Sequence, residues 1–166
     1  DWDSRVHAAD LRPPQEIGRT AGERAAAREG ATKPPTGAFP VLFDERVAGS
    51  LIGHLLSAIN GAAVARGSSF LRDRLGRRVL PEGMTLIEDP HRPRNPASKL
   101  WDAEGLPSAR KALVEDGVLA TWVLDLASAR RLGLRSTGNA ARGTSGTPSP
   151  AGTTVELTQG PASREA

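Results

Sequence analysis

The sequence predicts an α+β chain in which a central buried helix packs on a mainly antiparallel β-sheet. Three observations predict it. From Glu45 to about Ala65, the large side chains Leu51, Ile52, Leu55, Leu56 and Ile59 lie around more than one face, as in an interior helix. The apolar, partly β-branched runs 111–114 and 118–124 flank Glu115-Asp116-Gly117, and an Asp-Gly pair favours a two-residue hairpin turn because both positions tolerate positive φ. Shorter β-like runs stand at 78–80, 84–88 and 155–158.

The elements follow in chain order. QEIGRTAGERAAARE, residues 15–29, comes after Pro13-Pro14 and is rich in Ala, Arg and Glu, which suits a helix that Gly30 ends. KPPTG at 33–37 is a turn-forming hinge. AFPVLFD at 38–44 reads as a short extended apolar run, with Asp44 as N-cap of the central helix. Within that helix Gly49, Gly53, Ser57 and Gly61 recur every fourth residue, so they form one row that lets another backbone approach. The row is expected to pack tightly against a sheet or a neighbouring subunit. Arg72, Arg74, Arg77 and Arg78 read as a solvated basic edge, and PHRPRNP as a Pro-rich loop. SARRLG at 128–133 predicts a short helix; Ser136 to Thr154, built largely of Gly, Ser, Thr and Pro, predicts irregular chain.

Composition narrows the function classes. The 166 residues fit one ordinary domain or a piece of a larger protein, and the start Asp1-Trp2-Asp3, without methionine, reads as a piece. Twenty-two Lys and Arg face 19 Asp and Glu, an excess too small to argue for nucleic acid as partner. Without cysteine there are no disulfides, thiolate nucleophiles, iron–sulfur clusters or Cys-based zinc sites, and the chain is compatible with the cytoplasm, its expected location. The stretch from Val47 to Ala65 is uncharged, but its glycines, serines, His54 and Asn60 argue against a membrane span.

Reactive constellations are sparse. His7, His54 and His91 are isolated, and one turn from His54 stand Ser50 and Ala58, neither a zinc ligand. Gly143-Thr144-Ser145-Gly146 lacks the spacing of a nucleophile elbow. Asp102 and Glu104 read as loop or cap residues before they read as a catalytic carboxylate pair. Gly67-Ser68-Ser69 forms either a turn or a small donor-rich nest. No catalytic residue is assigned. The candidate peptide or packing contacts are Gly49, Gly53, Ser57, Gly61, Ser68 and Ser69.

Three blocks in order, TGAFPVLFDERVAGSLIGHLLSAINGAAVARGSSFLRDRLG at 36–76, Asp102-Ala103-Glu104-Gly105 with VEDGVL at 114–119, and SARRLGLRSTGNAARG at 128–143, resemble the TldD/PmbA family, specifically its PmbA (TldE) branch. The resemblance implies a fragment of a larger fold, covering on the order of 40% of a full member. It divides the chain into a helical segment and Pro-rich hinge (1–35), a central α+β region (36–135), and a Gly/Ser/Thr/Pro-rich loop leading into a truncated β region (136–166). Family members are described as modulators of DNA gyrase and as peptidases. The TldD branch carries a His-Glu-x-x-x-His zinc helix, in which two histidines hold the ion and the glutamate acts as general base. Laid on this sequence, those positions fall on Gly53, His54 and Ala58. The resemblance therefore implies a non-catalytic subunit with no cofactor of its own, zinc being expected only in a TldD-type partner. That zinc-bearing subunit, or a second copy of the chain, is the expected protein partner, and a peptide the expected substrate. The alternative is a non-enzymatic module that acts on DNA gyrase or nucleic acid through the arginine cluster.

Overall fold

The computed structural model describes residues 1–158. Along the chain come α1 (Pro14–Ala26), α2 (Glu45–Ala58), α3 (Gly61–Ala65), β1 (Leu86–Glu88), β2 (Lys111–Glu115), β3 (Val118–Leu119), α4 (Leu126–Leu132), β4 (Ala140–Ala141), β5 (Ser149–Pro150) and β6 (Val155–Leu157). One four-stranded sheet has the order β3-β2-β1-β6 with every pairing antiparallel, and β4 and β5 form a two-stranded ribbon. The expected mixture of helix and antiparallel sheet is what the chain forms.

The hairpin stands where the Asp-Gly pair places it. Asp116 and Gly117 have φ of 47° and 76°, the double positive pair of a tight turn whose twist matches its strands. The turn is also docked. The amides of Val79 and Leu80 donate to the Gly117 carbonyl, and the Gly117 amide donates to the Met84 carbonyl at 2.7 Å. A Cβ on Gly117 would lie 2.4 Å from the Leu80 carbonyl oxygen and 2.5 Å from that of Pro81. Gly117→Ala therefore meets a positive φ and two backbone oxygens at once. The expected loss is at least about 2 kcal/mol, read from urea denaturation.

Between β1 and β2 the register slips by one. Leu86 faces Val114, but Ile87 faces Ala112 and Glu88 faces Lys111, so Leu113 is the extra residue of a β-bulge. Leu113 is fully buried, and it joins Ile59, Leu86, Val114, Leu119, Trp122, Val123 and Leu124 in the core.

The single long helix expected from Glu45 to Ala65 is in fact two. The apolar pattern runs on without interruption, but at Ile59 the backbone leaves the helix to pair with Val123 in parallel fashion. The Val123 amide donates to the Ile59 carbonyl at 3.0 Å, and the Gly61 amide donates to the Val123 carbonyl at 2.8 Å. Asn60 restarts the helix as N-cap, its side-chain oxygen accepting from the Ala62 amide, while its Nδ2 donates to the Pro150 carbonyl. Gly61 therefore belongs to α3, and the four-residue row ends at Ser57. Burial of α2 is uneven: Ala58 is buried, Ile52, Leu55 and Leu56 pack on the core, and Val47, Leu51 and His54 remain exposed.

The extended run at 38–44 is not a strand. Phe39, Val41, Leu42 and Phe43 are exposed and form no ladder among the described residues. Asp44 nevertheless caps α2 as expected, accepting from the Arg46 amide. The β-like piece at 78–80 reduces to one bridge, Arg78 to Val118. Downstream, α4 opens on a capping box between Asp125 and Ser128 and closes on Gly133 at φ 67°. The segment 136–154 is irregular apart from β4 and β5, and β6 forms at 155–157, while the C-terminal end beyond 158 lies outside the described residues. N-terminal α1 buries no residue; an ion pair from Arg94 to Asp10, with two hydrogen bonds of 2.7 Å, ties this arm to the Pro-rich loop. Among the described residues no helix is long and apolar enough to cross a membrane.

Candidate functional site

The candidate contacts on α2 lie on open helix surface. Gly49 and Gly53 are exposed, and nothing stands within 4 Å of where a Cβ would be. Ser57 is exposed too, its hydroxyl donating back to the Gly53 carbonyl at 2.9 Å. Of the four positions in the row, only Gly61 is closely approached among the described residues: a Cβ there would meet Leu124 Cδ2 at 2.5 Å, Ser128 Oγ at 2.7 Å and the Val123 carbonyl oxygen at 2.8 Å.

The zinc-motif positions occupy the same helix. Gly53 offers no side chain, Ala58 is an apolar methyl buried beneath the helix, and His54 points from an exposed position. One imidazole with neither companion ligand does not fit a zinc ion, which takes three protein donors in catalytic sites.

The serines and arginines are engaged to different degrees. Ser69 is buried; its hydroxyl donates to the Ala58 carbonyl and accepts from the Leu71 amide, pinning the chain after α3 to the end of α2. Ser68 is exposed and its hydroxyl donates to the Ala63 carbonyl. In the basic cluster Arg72 donates to Asp73 and to the Gly67 carbonyl, and Arg78 donates to the Asp116 carbonyl. Arg74 and Arg77 have no side-chain partner among the described residues.

The strongest polar centre is one the sequence analysis did not single out. Glu88 is fully buried on β1. Its Oε1 accepts from Asn139 Nδ2 at 2.8 Å, from the Thr153 amide at 2.6 Å and from the Thr153 hydroxyl at 3.1 Å; its Oε2 accepts from Asn139 Nδ2 and from Lys111 Nζ, the latter at 2.8 Å. Lys111 Nζ also donates to the Thr137 carbonyl, and Asn139 Oδ1 accepts from the Thr137 hydroxyl. Burial pushes the Glu88 carboxyl up, but the hydrogen bonds and charge of Lys111, with those of Asn139 and Thr153, outweigh it and hold the pKa below its ordinary value. One signal was legible: in Leu86-Ile87-Glu88 the alternation of a strand puts the glutamate on the same face as a core leucine.

Asp102 organises the neighbouring loops in the same way. Its Oδ1 accepts from the Glu104 and Leu106 amides, each at 2.9 Å, and its Oδ2 accepts from the Ala140 amide at 3.1 Å. Burial raises this carboxyl, and the backbone donors Leu106, Ala140 and Glu104 bring it below its ordinary value. Glu104 in turn accepts from the Leu126 amide at 2.8 Å. Both carboxylates hold backbone, as cap residues do. Together with Glu88 they fix the segment 136–154 against the sheet.

Fold and site define an α+β module that offers an exposed helix face and, among the described residues, a sheet edge at β6, with its buried carboxylates assigned to holding loops. The chain belongs to the PmbA/TldD metallopeptidase family: residues 36–166 match the family model described as the PmbA/TldA metallopeptidase C-terminal domain. It is 42% identical over 132 residues to Metalloprotease PmbA of Escherichia coli O157:H7, an alignment covering 80% of this chain and 29% of that protein. The chain thus spans about 29% of the length of this relative, less than the share the resemblance implied. A candidate modulator of DNA gyrase from Bacteroides thetaiotaomicron shares the fold, with a TM-score of 0.81 at 24% identity over 94% of this chain and 33% of that one. Another candidate DNA gyrase modulator, from Thermotoga maritima, superposes with a TM-score of 0.75 at 32% identity, covering 86% of this chain and 32% of its own.

Proposed function

We propose that this chain is part of a non-catalytic subunit of the PmbA/TldE type in a cytoplasmic two-subunit metallopeptidase that degrades or processes peptides. One observation carries the reading: Gly53, His54 and Ala58 stand where a zinc helix would carry its two ligands and its base. In this role the subunit binds a zinc-bearing homologue and helps to enclose the peptide path. Two surfaces support it. The exposed face of α2, with Gly49 and Gly53, leaves room for another backbone to approach closely. Among the described residues β6 pairs only with β1, and an extended peptide is commonly held by adding a strand at such an edge.

The test is to express the full-length protein with and without a zinc-bearing homologue from the same source, and to measure co-purification, bound zinc and peptide hydrolysis with and without a chelator. The expected result is a stable complex whose hydrolysis is chelator-sensitive, and no hydrolysis by this protein alone. Stoichiometric zinc and chelator-sensitive cleavage by this protein alone would overturn the proposal.

A further inference from the structure

We propose that the cleft between α4 and the turn at Leu106 binds a peptide carboxylate carried beside an aliphatic side chain, such as a free peptide C-terminus. The cleft has a volume of about 480 Å³. Its apolar wall is formed by Leu106, Leu126, Ala129 and Leu134, and its polar lining by Arg130, Arg135 and Ser136. Leu126 and Leu134 are 41% and 44% exposed, whereas Ala129 is 2% exposed and anchors the wall to the core.

Neither Arg130 nor Arg135 has a side-chain hydrogen bond or ion pair among the described residues. Several guanidinium groups elsewhere in this chain are paired, as in Arg12 with Asp1, Arg46 with Asp44, Arg92 with Glu156 and Arg94 with Asp10, and others, such as Arg74 and Arg77, are not; Arg130 and Arg135 share one cleft. The nearby carboxylates are engaged: Glu104 accepts from the Leu126 amide, and Asp125 is held in its capping box with Ser128. The cleft therefore presents, beside an apolar surface, two guanidinium groups with no ion-pair partner among the described residues. Arg130 at the C-terminal turn of α4 also suits the helix dipole, but Arg135 lies beyond the Gly133 cap, where that explanation does not reach.

This pairing selects a class of ligand. A guanidinium presents a planar fork of donors that matches a carboxylate bidentately, and an adjacent aliphatic side chain would cover the exposed leucines. The site is preorganised as well, because α4 is capped at both ends, Ser136 donates its hydroxyl to the Leu124 carbonyl and the Thr137 hydroxyl accepts from the Leu124 amide. That the ligand is a peptide rests on the proposed function. Binding and hydrolysis are separate measurements, so failure of one leaves the other standing.

The test uses the full-length protein and fluorescence anisotropy of fluorescein-labelled Ala-Ala-Leu, either with a free C-terminal carboxylate or as the C-terminal amide. The expected result is saturable binding of the acid, at least about tenfold tighter than the amide, with that preference lost in the double variant Arg130→Gln/Arg135→Gln. Arg74→Gln/Arg77→Gln serves as the control with equal loss of charge and keeps the preference; thermal melting checks that both variants are folded. Equal binding of acid and amide, no saturable binding of the acid, or a preference that survives in Arg130→Gln/Arg135→Gln overturns the proposal.

Discussion

Replacing Lys111 by methionine destabilises this chain by about 3–5 kcal/mol at neutral pH, because it leaves the fully buried Glu88 carboxylate without its cation. Desolvation of Glu88 is then opposed only by neutral donors from Asn139 and Thr153. The pH dependence has a definite sign. In the native chain Glu88 is held below its ordinary pKa, so its contribution is fully present above the unfolded-state value of about 4.3 and is lost as the pH falls through the lower folded value. In Lys111→Met, burial without a cation raises that pKa, and protonation relieves the penalty. The stability gap between the two proteins should therefore begin to narrow above the unfolded-state value, as the pH falls through the variant's raised pKa, and go on narrowing until the pH reaches the lowered pKa of the native chain. A second variant, Glu88→Met/Lys111→Met, should recover much of the loss but not all, since Asn139 Nδ2 and the Thr153 amide lose their acceptor. Urea denaturation at pH 7 and pH 4 measures each difference; a loss below about 1 kcal/mol for Lys111→Met would falsify the assignment of this pair as the anchor of the loop segment.

Gly53→Ala and Gly61→Ala, two alanines in what reads as one row, should change stability with opposite signs. At Gly53 nothing lies within 4 Å of the new methyl, so helix propensity alone acts and the chain gains about 0.5–1 kcal/mol. At Gly61 the methyl would stand 2.8 Å from the Val123 carbonyl oxygen, which cannot retreat without giving up its hydrogen bond from the Gly61 amide. Leu124 and Ser128 crowd the same point, and the expected loss is about 1–3 kcal/mol. Differential scanning calorimetry reads both. Gly53→Ala also probes the subunit reading. If another backbone seats against α2, this variant is more stable alone yet co-purifies more weakly with the zinc-bearing homologue.

These two sets of variants mark where sequence reasoning reached and where it stopped. The Asp-Gly hairpin, the Asp44 cap, the helix ending at Gly133 and the irregular glycine-rich segment were legible because each depends on local chemistry: a positive φ, an orphan amide or a breaker residue. Blank positions at Gly53 and Ala58 were legible because no fold can supply a missing side chain. The pairing of Glu88 with Asn139 was not, although strand alternation places Glu88 on the core face. The two stand 51 residues apart, and neither has a local pattern that announces the other. The candidate serines were visible as a motif, but only the folded chain shows that the Ser69 hydroxyl is engaged between Ala58 and Leu71.

The sequence by itself determined the alternation of helix and strand, the hairpin and the absence of a zinc ligand set on α2, since each follows from residues a few positions apart. Only the tertiary structure decided two things. At Ile59 an unbroken apolar pattern yields to a break, because the backbone of Ile59 and Gly61 pairs with Val123, more than sixty residues away. At Leu113 a bulge shifts the register by one residue, and that slip sets Glu88 opposite Lys111 in place of Ala112. Local propensity is silent on such pairings. They are fixed by which backbones and charges the completed core brings side by side.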